Sequence, residues 1–134
     1  NEFTMEMMTK GKLVVFGEQF WRPYIHVRDA ARALALVLGA PETAVRGRVF
    51  NVGATKENYQ KKQLVELIKP QAPGAVVEYV HRDEDPRDYR VSFERVRSEL
   101  GFETIRTVPD GIAEVARLVR SGVLTDFADP RYRN

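Results

Sequence analysis

The chain has 134 residues, 43% of them hydrophobic, and 21 lysines and arginines against 19 aspartates and glutamates leave a formal net charge of only +2. That length suits one modest domain and is too short for two, and so small a charge argues against bulk nucleic-acid affinity as the main function. The absence of cysteine excludes disulfides and thiolate metal sites and fits a reducing, cytoplasmic setting. No apolar run approaches the ~20 residues that span a bilayer, so no membrane partner is expected. The chain opens at Asn1 with no initiator methionine and no visible signal peptide, which leads us to expect a natural start further upstream.

Residues 1–10 predict a helix, with Phe3 and Met7 one turn apart and Gly11 as its stop; Asn1 is either its N-cap or part of a helix begun earlier. Met5, Met7 and Met8 read as core filling. Residues 13–16 predict a strand that stops at Gly17, and Tyr24, Ile25 and Val27 suit a second one. Asp29 is placed to start the next helix, its carboxylate accepting an orphan amide hydrogen bond. Ala30, Ala33, Leu34, Val37 and Leu38 share one face of that helix, and Gly39 with Pro41 ends it. Residues 41–47 read as a loop, and residues 48–53 as a short strand and turn that extend a sheet built mostly elsewhere.

A helix over residues 60–69 turns Leu64, Leu67 and Ile68 inward and Lys61, Lys62 and Glu66 outward, before a break at Pro70, Pro73 and Gly74. Residues 76–80 predict a half-buried strand, and residues 81–88 a charged loop. Ser92 caps a helix carrying Phe93, Val96 and Leu100 and closed by Gly101. Thr107-Val108-Pro109-Asp110 opens the last helix, whose inner stripe is Ile112, Val115, Ala116 and Val119 and whose end is Gly122. The tail over residues 129–134 is expected to fray unless a partner holds it.

Arg22 lies between Trp21 and Pro23, and a guanidinium so held can grip a phosphate with two parallel hydrogen bonds. Local chemistry alone favours a plain surface arginine. The stretch Arg22-Pro23-Tyr24-Ile25-His26-Val27-Arg28-Asp29-Ala30-Ala31-Arg32-Ala33, however, resembles the arginine–hydrophobe–valine–x–aspartate segment of extended short-chain dehydrogenases/reductases, the NAD(P)-dependent nucleotide-sugar epimerases and dehydratases. Phe50-Asn51-Val52-Gly53 and Asp85-Pro86-Arg87-Asp88-Tyr89-Arg90-Val91-Ser92 follow in that family's order. The resemblance runs through nearly the whole chain but matches only the family's C-terminal portion. It implies an α/β fold, the C-terminal substrate-binding part of an extended Rossmann-type enzyme with helices around short strands. Residues 1–134 would then be a single substrate-binding domain, with the Rossmann cofactor domain absent from this chain.

The resemblance also implies a site. Arg22 falls on the family's diphosphate arginine, and Arg87 is the best match to a second one, with Arg82 as the alternative. Asn51 falls near the sugar-nucleotide, and Phe16 where the family lines its base pocket. Two arginines converging from separate loops suit a diphosphate, whose adjacent charges each take charge-assisted hydrogen bonds. Gln19 and Phe20 stand close enough in sequence to line the same pocket.

Other chemistry is missing. His26 and His81 have no ligand-spaced partner, so no metal site is expected, and no trio reads as Ser-His-Asp. His26 reads as a satisfied core or sheet histidine. No glycines are spaced as in the dinucleotide fingerprint. No tyrosine is followed four residues later by the lysine that the family uses for proton transfer; Tyr24 with Arg28 comes nearest, in the wrong motif. The expectations are therefore no catalytic residue in this chain, no cofactor bound by it alone, and NAD or NADP in the full-length enzyme. The partners expected are a nucleotide-diphosphate sugar, the missing N-terminal Rossmann portion, and a second copy in a homodimer or other self-association. Rival readings are a non-catalytic binding or interaction module of the same fold, and RNA stacking on Phe20, Trp21, Arg22 and Tyr24.

Overall fold

A computed structural model describes residues 1–123. The helix α1 (Glu2–Lys10) stops where Gly11 turns left-handed, and β1 (Lys12–Phe16) follows at once. β1 pairs in parallel with β4 (Val76–Val80), in register from Lys12 opposite Val76 to Phe16 opposite Val80. A parallel pair needs a long crossover, and this one contains β2 (Trp21–Pro23), α2 (Val27–Gly39), α3 (Glu42–Val45), β3 (Asn58–Gln60) and α4 (Lys61–Ile68). Within it β2 and β3 form a second, antiparallel sheet, with Arg22 opposite Tyr59. α5 (Glu94–Leu100) and α6 (Val108–Arg120) complete the described chain. The expected frayed tail lies outside the described residues.

Two cores hold these elements. Met7, Leu13, Val15, Val65, Ile68 and Ile112 join α1, β1, α4 and α6. Ala33, Phe93, Val96 and Phe102 join α2 and α5. Burial alternates along β1, as a strand with one packed face requires. α6 starts on a reciprocal cap, in which the Thr107 hydroxyl accepts from the Asp110 amide and the Asp110 carboxylate accepts from the Thr107 amide at 2.8 Å. Hydrogen bonds from the Thr107 amide and hydroxyl hold the Asp110 carboxyl below the usual carboxylate range. Gly53 has a φ of 157°, and a Cβ there would stand 2.8 Å from the Phe93 ring, so only glycine lets the chain pass so close to this core.

Several elements differ from expectation. β2 ends at Pro23, and α2 begins at Val27 because the His26 ring nitrogen Nδ1 accepts from the Arg28 amide and caps it. His26 is thus satisfied as a cap and not within a sheet; its Nε2 lies 3.2 Å from Glu114 Oε2. Asp29 does not cap its own helix. It is completely buried and accepts from the amides of Ile105 and Arg106 and from Arg32. Residues 42–45 are helical where a loop is expected, and residues 48–53 make no strand, since no neighbouring strand offers them a ladder. Ser92 accepts only a long bond from the Glu94 amide, and Phe93 stands at the cap position of α5.

α2 leaves part of its apolar face uncovered. Val27, Leu34 and Leu38 lie along one side of the helix and are 76%, 68% and 88% exposed. Among the described residues no helix is long and apolar enough to cross a membrane.

Candidate functional site

β2 carries Arg22 at its centre, between the backbone of Trp21 and the ring of Pro23. The Arg22 guanidinium is 15% exposed and makes three hydrogen bonds: its NH2 donates to Asp85 Oδ2 at 2.5 Å, and its NH1 donates to the carbonyls of Trp21, at 2.7 Å, and of Arg87. Asp85 is only 11% exposed and gathers further donors. The Arg87 amide reaches its Oδ1 at 2.9 Å and the Arg87 Nε at 3.3 Å, while Lys61 Nζ stands 3.7 Å from Oδ2. The hydrogen bond from the Arg87 amide, with those from the Arg22 and Arg87 side chains, lowers the Asp85 carboxyl to about 2 against the opposing effect of desolvation. Three cations from β2, α4 and the loop over residues 81–88 thus face one carboxylate.

Arg22 and Arg87 meet, through the Arg87 carbonyl and through Asp85, whereas Arg82 does not join them. The Arg87 side chain is 76% exposed, so its guanidinium can swing toward a ligand. Arg82 instead stands 5.3 Å from the centre of the Phe16 ring, and Gln19 Nε2 donates to its carbonyl at 2.7 Å. Phe16, at the end of β1, is 48% exposed, beside the cluster through its carbonyl, which accepts from Lys61 at 2.8 Å. Phe20 lines no open pocket: it is buried, with its ring filling the space where a Cβ on Gly17 would stand. Asn51 sits apart, exposed on a cleft of about 300 Å³ that it shares with Pro23, Tyr24, Val52, Tyr89 and Val91. That cleft reaches the cluster through Pro23, the neighbour of Arg22.

Sequence reasoning missed three members of the site. Lys61, assigned to the outer face of its helix, is instead the first residue of α4 and runs off the helix end into the cluster. Burial lowers its pKa and the adjacent Arg22 charge adds to this. Asp85 was read as part of a solvated charge run, and its partners 24 and 63 residues away leave no local signal. Asn58 clips the neighbouring segment in both directions, donating to the Val91 carbonyl at 3.0 Å and accepting from its amide at 2.9 Å. The Trp21 amide donates to Asp88 Oδ1 at 2.7 Å, so the charged loop is strapped to β2 at several points. Two acceptors beside it, Glu18 Oε2 and Gln19 Oε1, are buried with no hydrogen-bond partner among the described residues.

The arrangement can hold a polyanion. β1 stops just before Gly17, where the Phe20 ring lies 2.4 Å from the place a Cβ would take, so this strand end opens no pyrophosphate cradle. Among the described residues no group of three histidine, aspartate or glutamate side chains could hold a metal ion.

Residues 2–53 match the model of the NAD dependent epimerase/dehydratase family. A dTDP-glucose 4,6-dehydratase from Actinoplanes sp. is 31% identical over 103 residues, 75% of this chain and 31% of that protein. A crystal structure of a UDP-glucose 4-epimerase with UDP-glucose, from Thermotoga maritima, superposes with a TM-score of 0.75 at 25% identity, over 91% of this chain and 39% of that one. A short-chain dehydrogenase/reductase superfamily protein from Agrobacterium tumefaciens with bound NAD gives 0.70 at 27% identity, over 84% and 34%. The chain spans about a third of the length of the curated relatives it matches, between 25% and 35%. Its fold is α/β, that of a portion of short-chain dehydrogenase/reductase structures, and the curated proteins it resembles are dTDP-glucose 4,6-dehydratases and a UDP-glucose 4-epimerase.

Proposed function

We propose that this chain forms the nucleotide-diphosphate-sugar-binding portion of an NAD(P)-dependent epimerase/dehydratase-type enzyme, corresponding to the family's C-terminal part. The observation that carries the reading is the convergence of Arg22, Lys61 and Arg87, from three separate elements, on one partly buried anion position. A diphosphate offers such a set of cations two adjacent charged groups, and planar guanidinium forks match phosphate oxygens. Phe16 would meet the base at one end of the ligand and Asn51 the sugar region, along the cleft that begins at Pro23. NAD or NADP and the proton-transfer groups would be supplied by a cofactor-binding portion, so this chain alone is expected to bind substrate without turning it over. The test is calorimetric titration with UDP-glucose and dTDP-glucose. Saturable binding that inorganic pyrophosphate competes away, and free glucose does not, supports the reading; no binding of either nucleotide-sugar contradicts it.

The uncovered side of α2 supports a further part of this reading. Val27, Leu34 and Leu38 form the surface against which the cofactor-binding portion would pack, and in its absence the chain is expected to self-associate through it. Replacing Leu34 and Leu38 together by glutamate should shift the chain toward monomer in analytical ultracentrifugation and reduce binding of a hydrophobic dye. Because both side chains already face solvent, thermal stability should change by less than about 0.5 kcal/mol. Unchanged association would remove α2 as the interface.

A further inference from the structure

We infer that Asp85 is an internal counter-anion seated where the diphosphate binds, so that ligand and carboxylate compete for one set of cations and the ligand's entry releases the loop over residues 81–88. This rests on the proposed nucleotide-sugar reading and adds the regulation of that site. The burial pattern is the first support: Asp83, two residues earlier in the same loop, has a side chain 95% exposed, whereas that of Asp85 is 11% exposed and points inward at Arg22. The geometry is the second. Asp85 presents Oδ1 to Arg87 and Oδ2 to Arg22 and Lys61, which is how two oxygens of one phosphoryl group would be shared among the same donors. Charge is the third, since three cations meet on this one carboxylate, and a diphosphate brings at least two negative charges.

A phosphate placed beside Asp85 would also face a like charge at short range, so the two anions exclude each other. The carboxylate is tethered and competes at a high effective concentration. A monoanion therefore displaces it poorly, while a diphosphate, engaging several cations at once, displaces it well. The contact thus selects for multivalent anions and couples their binding to the loop. Once Asp85 leaves, Arg22 loses its 2.5 Å ion pair, and the loop keeps its attachments through Asp88 to Trp21, through the Arg82 and Arg87 carbonyls and through Arg82 to the Phe16 ring.

The test combines one variant with one measurement on the unaltered chain. Inorganic pyrophosphate and UDP-glucose are titrated calorimetrically into the wild-type chain and Asp85→Asn, and amide hydrogen exchange is followed in the wild-type chain with and without pyrophosphate. Removing the competing charge should tighten pyrophosphate binding about tenfold or more, and exchange over residues 81–88 should quicken when pyrophosphate binds. If Asp85→Asn binds pyrophosphate equally or more weakly, or if the loop becomes better protected on binding, Asp85 positions the cations instead of competing for them, and the inference falls while the nucleotide-sugar reading stands. If the variant gains pyrophosphate affinity but neither protein binds UDP-glucose, competition is upheld and the nucleotide-sugar reading falls. If no anion binds either protein, both are overturned.

Discussion

Replacing Asp29 by alanine should destabilise the fold by about 3 kcal/mol or more, the largest effect we expect from one polar side chain here. The carboxylate is completely buried and takes the Arg106 amide at 2.9 Å, the Ile105 amide at 3.1 Å and Arg32 NH1 at 2.6 Å. Those bonds tie α2 to the segment that leads into α6, and alanine would leave both amides without a partner in a site water does not reach. Arg32 is 43% exposed, so its share is screened and most of the cost lies with the amides. Asp29→Asn keeps one carbonyl oxygen and should cost less. Urea denaturation with an unchanged slope checks the magnitude.

The pH dependence of that difference has a definite sign. Burial by itself pushes the Asp29 carboxyl up, but the hydrogen bonds from Arg32 and from the amides of Arg106 and Ile105 outweigh it and hold the group below its ordinary value. A carboxyl lowered in the folded state stabilises the fold in full above its unfolded pKa of about 3.9 and loses that contribution as pH falls through the folded value. The gap between wild type and Asp29→Ala should therefore stay constant near neutrality and narrow below about pH 4. Asp85, lowered to about 2, should titrate well below the ordinary carboxylate range. A gap that widens on acidification would show that the carboxylate is not the stabilising form.

Arg22→Ala should weaken nucleotide-sugar binding on the order of a hundredfold, because two charge-assisted hydrogen bonds of about 1.5–3 kcal/mol each would be lost. The same change removes the partner of Asp85 and the donor to the Arg87 carbonyl, so some thermal destabilisation should accompany it. Arg22→Lys separates the two effects. It retains the charge without the planar fork, and should recover part of the stability but little of the affinity. Calorimetry read beside thermal melts distinguishes them; an Arg22→Ala protein that melts lower yet binds as wild type would mean that Arg22 serves only to strap the loop.

Features set by neighbouring residues were legible in the sequence. Gly11 and Gly101 stop helices in the left-handed conformation, and Thr107 with Asp110 starts one, because caps depend on residues within one turn. Features set by distant partners were not. The apolar run at residues 48–53 has the composition of a strand, yet a strand exists only where another lies alongside, and Val49 is left exposed. β3, three residues long, is too short to show a period, and it forms because β2 lies opposite. Val27, a good strand residue, sits in the first turn of α2 because His26 supplies the cap just before it. That shift moved the expected role of Asp29 from its own helix to amides 76 and 77 residues on.

The site divides along the same line. Arg22 and Arg87 are candidates through motif resemblance, whereas Lys61 is hidden by a periodicity that says nothing about a side chain leaving a helix end. The role of Asp85 required knowing that residues 22, 61 and 87 meet.

The most direct measurement is NMR mapping of the binding surface, following backbone amides and arginine Nε resonances while UDP-glucose is added. The account predicts that Arg22, Lys61 and Arg87 shift together with residues of the loop over 81–88, and that Phe16 and Asn51 follow at the two ends of the ligand. Shifts confined to the uncovered side of α2, or none at saturating UDP-glucose, would contradict it.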